Sequence, residues 1–203
     1  MHDGRYSMPL NLRLTPAAPG AAFLRFALPF LSLFVASLAC AAEIAGLVVS
    51  VTDGDTVTVL DSSRVRYKVR LIGIDAPERH QPFGARSKQH LAALVDRKDV
   101  TVIWHKHDRY GRILGRVLAP ECDHGACANT LDTGLAQLSA GLAWHYKQYQ
   151  REQEPGERKS YAAAEQTART KQEGLWQDAS PVPPWDYRRA ARLAASAAHS
   201  GPM

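Results

Sequence analysis

Three short segments gather charged side chains where the surrounding pattern predicts strand ends: Asp53-Gly54-Asp55-Thr56, Arg70 through Asp75 to Glu78, and Asp108-Arg109-Tyr110-Gly111-Arg112. Taken singly, each has a simple reading: an Asp-Gly pair makes a turn, Asp-x-Pro-Glu ends a strand, and an arginine lies on a solvated strand face. Taken together they make a more demanding set. Carboxylates from two connected turns supply hard oxygen ligands to a divalent cation, and two arginines hold and neutralise a phosphate between them.

Those residues need a scaffold. Residues 44–60, IAGLVVSVTDGDTVTVL, are rich in Val, Ile and Thr on either side of Asp53-Gly54, which predicts a hairpin. From Arg64 to Leu71 basic and apolar residues alternate, with Arg64, Arg66, Lys68 and Arg70 on one face and Val65, Tyr67, Val69 and Leu71 on the other. This is a half-buried strand whose basic face is either a phosphate track leading to Arg70 or simply solvated. The run Leu71 to Ile74, interrupted by Gly73, signals a strand covered on both faces or a bulge. Residues 84–95 predict a short helix, and 100–104 and 113–118 two further strands.

Asn129 or Thr130 is the expected cap of a helix with Leu131, Leu135 and Leu138 on one stripe and Gly141 as its stop. A longer helix is expected over about 156–172, between Pro155 and Gly174. Short strands followed by helices indicate an α+β domain with a small barrel. After Trp176 come SPVPPW and an Ala/Arg-rich stretch, so residues 178–203 read as a linker and basic tail rather than an amphipathic helix packed on the domain. There is no internal repeat and no GxxxxGK[ST] phosphate loop.

The N-terminus has its own pattern. FALPFLSLFVASLACAA, residues 26–42, follows Arg5, Arg13 and Arg25 and ends in small residues, as an export signal does; an uncleaved anchor and a lipoprotein acylated at Cys40 are the alternatives. The whole chain of 203 residues carries 25 Lys and Arg against 20 Asp and Glu, a net charge of +5. Loss of residues 1–42 removes three Arg and one Asp, leaving 22 basic against 19 acidic side chains and a charge of +3. Basicity is therefore modest, and a nucleic-acid partner must be argued from local arrangement. The same cleavage leaves Cys122 and Cys127, whose short enclosed loop favours a local disulfide in an exported chain. A zinc site joining them to His124 and His105 or His107 has spacings that match no standard finger.

VTDGDTVTV, VRLIGIDAPE and DRYGR, in this order, with GLAWHY and a helix ending in GLW, resemble the staphylococcal nuclease, or thermonuclease, family over roughly residues 44–176. The resemblance implies a five-stranded OB-fold β-barrel with about three helices, spanning 43–177. It implies Ca2+ held by Asp55, Asp75 and the backbone carbonyl of Ala76, with Asp53 and Thr56 supporting that site from behind. Glu78 is then the base or orienter beside a bound water, Arg70 and Arg112 contact the scissile phosphate, and Arg109 and Tyr110 contact a terminal phosphate. Ala76 stands where the family more usually has Thr, and Arg109 where the type member has Lys. The segment 79–84 is shorter than the type member's loop, and Trp144, Tyr146 and Tyr149 are candidates for a base-stacking wall.

The implied activity is calcium-dependent hydrolysis of phosphodiester bonds in DNA and/or RNA by an exported, periplasmic or secreted monomer with no stable protein partner. A noncatalytic OB-fold module that only binds nucleic acid is the alternative. Such a module has no need of a general base at Glu78 beside two metal-binding carboxylates. An envelope-attached interaction protein with an uncleaved N-terminus is a third reading.

Overall fold

The computed structural model describes residues 42–121 and 127–199. In chain order these form β1 (Ala42–Asp53), β2 (Thr56–Asp61), β3 (Arg66–Leu71), β4 (Ile74–Asp75), α1 (Gly84–Val95), β5 (Asp99–His107), β6 (Ile113–Pro120), β7 (Asn129–Asp132), α2 (Thr133–Ser139), β8 (Trp144–His145), α3 (Pro155–Thr170) and α4 (Pro184–His199). The Val and Thr alternation around Asp53-Gly54 folds as the expected hairpin of β1 and β2. β3 and β5 flank that hairpin, and β6 pairs antiparallel with β5 and parallel with β3. This last pairing, Val69 with Ile113 and Arg70 with Leu114, closes β3-β2-β1-β5-β6 into the five-stranded barrel of the expected α+β class. It also brings the end of β3, which carries Arg70, beside the start of β6, which follows the Asp108–Arg112 turn.

The barrel is filled by the apolar face of each strand. Val48, Val57, Val59, Val69, Val102 and Val117 are fully buried, each contributing roughly 1.5–3 kcal/mol by leaving water. Leu91 of α1, Leu138 of α2 and Tyr161 of α3 belong to the same core. A second cluster of Trp144, Ala168, Leu175 and Trp176 takes in Phe83 and Trp185. Trp176 is thus the core residue closing the last helix of the domain.

Three expectations are corrected. The alternation from Arg64 begins too early, because the Asp61 side chain accepts the Val65 N–H at 2.8 Å and Arg64 turns back with φ +63°. β3 therefore starts at Arg66, and Val65 is exposed. The cap of α2 is Asp132, whose carboxylate accepts the Leu135 N–H at 3.1 Å and the Tyr161 hydroxyl at 2.8 Å; Asn129, Thr130 and Leu131 belong instead to β7, paired with β6. The stretch after the Pro-rich linker is a helix, α4, with Pro184 at its first position. The expected export signal up to residue 41 and the segment 122–126, which includes Cys122 and His124, lie outside the described residues. Among the described residues no helix is long and apolar enough to cross a membrane.

Candidate active site

The turn between β1 and β2 is clamped before it presents anything. A Cβ on Gly54 would collide with Ser87 of α1 and with Ala76, so only glycine lets the turn approach so closely. Gln137 of α2, fully buried, donates through Nε2 to the Gly54 carbonyl at 2.6 Å and to the Ser87 carbonyl at 3.0 Å. Asp55 follows and is buried. Its Oδ1 accepts from Thr56 Oγ1 at 2.9 Å, its Oδ2 accepts the Ala76 N–H at 2.8 Å, and its own N–H donates to Asp53 Oδ1 at 3.3 Å. Asp53 and Thr56 thus support Asp55 directly.

Asp75 arrives from the other side. β4 pairs with β8, Asp75 opposite Trp144, and the Asp75 carboxylate is fully shielded from solvent. Arg70 bridges the two acids: Nη2 donates to Asp75 Oδ1 at 2.6 Å while Nη1 pairs with Asp55 Oδ1. Glu78 sits in the following loop, shaped by the Gln81 N–H donating to its carbonyl at 2.9 Å and by Gly84, where a Cβ would strike that same carbonyl. Asp55, Asp75, Arg70 and Ala76 are therefore brought together, and Glu78 is joined to Asp75 through Arg188.

One member of the cluster was not foreseen. Arg188 of α4 donates from Nη2 to Asp75 Oδ2 at 2.7 Å, and from Nη1 to Asp75 Oδ1 at 3.2 Å and Glu78 Oε1 at 2.7 Å. The sequence signal that marks it is its place one helical step after Trp185, on the same face of α4.

The Asp108–Arg112 turn forms a separate unit. Asp108 Oδ1 accepts the N–H groups of Tyr110 at 2.8 Å and Arg112 at 3.0 Å, while Oδ2 takes Arg112 Nε and Nη2 at 2.7 Å each. The exposed Tyr110 ring lies under both guanidinium groups, 4.8 Å from that of Arg109 and 5.6 Å from that of Arg112. Among the described residues no hydrogen bond joins this turn to Asp55, Asp75 or Glu78. The parallel register nevertheless sets Arg112 two positions from Leu114, the partner of Arg70.

The electrostatics follow from burial. Removal from water pushes the Asp55 carboxyl above its usual range; Arg70 pulls it back, and neighbouring Asp53 pushes it up again. Burial alone would weaken the charge on Arg70, but Asp55 and Asp75 hold its guanidinium above its ordinary value. Arg188 is likewise held charged, against partial burial, by its bonds to Asp75 and Glu78. At Asp108 partial burial is outweighed by the Arg112 and Tyr110 N–H groups and the Arg112 guanidinium, which lower its pKa.

Among the described residues no group of three or more His, Cys, Asp or Glu side chains is arranged to hold a metal by itself. Asp55 and Asp75 do converge on one buried point, now taken by the Arg70 guanidinium. Two such carboxylates with a neighbouring carbonyl are hard donors of the kind that calcium accepts in irregular geometry, with water and phosphate completing the shell. Beside them lies a cavity of about 310 Å3 lined by Trp144, Tyr146, Glu165, Arg169 and Trp185 among others. Trp144 is buried edge-on against Trp176 with ring centroids 4.4 Å apart, Tyr149 is exposed, and one face of Tyr146 is stacked on Trp185.

Residues 68–178 match the model of a family described as "Staphylococcal nuclease homologue". A protein of Escherichia coli described as an uncharacterized endonuclease is 42% identical over 72% of this chain and 86% of its own. A micrococcal nuclease of Shigella flexneri is 39% identical over 79% of this chain and 89% of its own. The Escherichia coli protein ParB is 42% identical over 83% of this chain and 92% of its own.

Proposed function

Since the chain belongs to the staphylococcal nuclease homologue family, we propose that it is an enzyme hydrolysing phosphodiester bonds of DNA and/or RNA, dependent on calcium bound by Asp55, Asp75 and the Ala76 carbonyl. The observation that carries this reading is the bridging of Asp55 and Asp75 by Arg70, with Glu78 joined to Asp75 through Arg188. A bound calcium ion would supply positive charge to the phosphate as negative charge builds up on it. Arg70 and Arg112 grip the non-bridging oxygens. Their fixed guanidinium charge suits the extra negative charge of the transition state better than the ground state. Glu78 accepts or orients the proton of the water whose oxygen bonds to phosphorus; one P–O ester bond breaks, and the departing oxygen takes a proton from solvent. Arg109 and Tyr110 hold a terminal phosphate, with Asp53 and Thr56 keeping Asp55 in place.

The same reading takes residues 1–42 as an export signal, Cys122 and Cys127 as a disulfide in the exported chain, and the exported protein as a monomer. A noncatalytic nucleic-acid-binding module is the competing reading. It leaves Glu78, beyond its ion pair with Arg188, without a catalytic task. Incubation of purified protein with DNA and with RNA, in calcium and in chelator, separates the two. Calcium-dependent cleavage that chelation abolishes is expected. Binding without cleavage under any divalent ion would leave the module, and full cleavage in chelator would remove calcium from the account.

A further inference from the structure

Helix α4 lies beyond the residues that the family model matches, yet it reaches into the acid cluster. It is seated by more than one contact. The Trp185 ring lies parallel to that of Tyr146, 12° between planes and 5.4 Å between centroids, and edge-on to Trp144 at 5.6 Å. Ahead of the helix, Gln81 Nε2 donates to the Val182 carbonyl at 2.6 Å, and within it the Tyr187 hydroxyl donates to the His80 carbonyl at 3.4 Å. Both segments that hold α4 therefore belong to the site: the loop around Glu78 and the strand paired with Asp75.

Arg188 exploits that seating. Both oxygens of Asp75 carry guanidinium donors, Oδ1 from Arg70 and Arg188 and Oδ2 from Arg188, while Glu78 Oε1 is held by Arg188 as well. A divalent cation arriving at Asp75 meets two full positive charges already there, and like charges at this range repel. Trp185 meanwhile covers one face of Tyr146, an aromatic surface on which a nucleobase could otherwise stack.

Resting on the calcium reading above, we infer that α4 is an autoinhibitory latch: Arg188 and the divalent cation compete for Asp75, and cation binding releases Arg188 and lifts Trp185 from Tyr146. The apparent affinity for the ion is then the intrinsic affinity reduced by the fraction of molecules with the latch open. A protein latched about nine-tenths of the time binds the ion about tenfold more weakly than one without a latch.

Calcium affinity by titration calorimetry, together with hydrogen exchange of α4 with and without calcium, tests this without recourse to turnover. Arg188→Gln should bind calcium about tenfold more tightly or better. Trp185→Ala keeps the Arg188 charge but loosens the seat, so it should shift affinity in the same direction, which a purely electrostatic effect of Arg188 would not produce. In the wild-type protein calcium should speed exchange across α4. Unchanged or weaker affinity in Trp185→Ala, or exchange in α4 indifferent to calcium, overturns the latch; these two readouts decide even if Arg188→Gln fails to fold. Asp75→Asn locates the ion. If wild type and variants bind calcium equally and Asp75→Asn does not bind, the latch alone fails. If neither wild type nor Arg188→Gln nor Trp185→Ala binds calcium, the calcium reading fails and the latch with it.

Discussion

The Asp55 carboxylate accepts the backbone N–H of Ala76 at 2.8 Å, so the turn after β1 and the chain leaving β4 share one buried bond. Asp55→Ala strands that N–H, at a cost of about 1–3 kcal/mol, and leaves Arg70 with Asp75 as its remaining acid partner. Asp55→Asn keeps an acceptor for Ala76 but offers a neutral oxygen to the ion. Urea unfolding should therefore separate the two variants, Asn staying closer to wild type, while calcium titration should find both severely weakened. Wild-type calcium affinity in Asp55→Asn would remove Asp55 from the ligand set.

Glu78→Gln keeps the size of the side chain and an acceptor for Arg188 while losing the basicity. Oligonucleotide affinity should change little, and calcium-dependent turnover should fall by about two to four orders of magnitude, the usual worth of a positioned base. Cleavage by the variant at the wild-type rate would leave Glu78 without a catalytic role.

Asp108 was not among the expected site residues, but its carboxylate organises the whole turn that carries Arg109, Tyr110 and Arg112. Asp108→Ala should lower turnover in the same direction as Arg112→Ala, because the freed guanidinium no longer points one way. The double variant should be less impaired than the sum of the two, by a coupling of about 0.5–3 kcal/mol in transition-state energy. Strict additivity would mean that Asp108 does not act through Arg112.

The acids and Arg70 were legible in the sequence because each lies at a strand end announced by its own local chemistry: an Asp-Gly turn, a strict basic-apolar alternation, an Asp-Ala-Pro exit. The barrel was legible for the same reason, as its strands alternate and its turns carry Gly and Asp. What stayed hidden depends on partners distant in the chain. Asp132 caps α2 because β7 pairs with β6 and draws Asn129 and Thr130 out of reach of the helix. Arg188 meets Glu78 across 110 residues. The stretch Trp185 to Ala198 shows an amphipathic face, but no spacing within it names the surface it covers.

His145 gives the fold a pH dependence. It lies on β8, opposite Ile74 of the strand that carries Asp75, and is almost completely buried. Its Nε2 is 3.0 Å from Gln153 Oε1, an acceptor, so in the neutral ring Nε2 carries the proton and Nδ1 is bare. Among the described residues Nδ1 has no hydrogen-bond partner, and protonation would place a charged N–H there unpaired. Burial accordingly lowers the His145 pKa below its usual 6.5, with Lys147 and Arg158 adding to the effect and Gln153 and Glu165 opposing it. The unfolded chain then binds more protons than the folded one between the lowered value and about 6.5, so stability rises with pH across that window. The stabilising preference for neutral His145 is fully present above about pH 6.5 and is lost as pH falls through the window. Urea unfolding at pH 7.5 and pH 5.0 should show His145→Gln, which cannot take up a proton, gaining on wild type at the lower pH whatever its absolute stability. An equal change in unfolding free energy for both proteins between the two pH values would show that His145 does not titrate with folding.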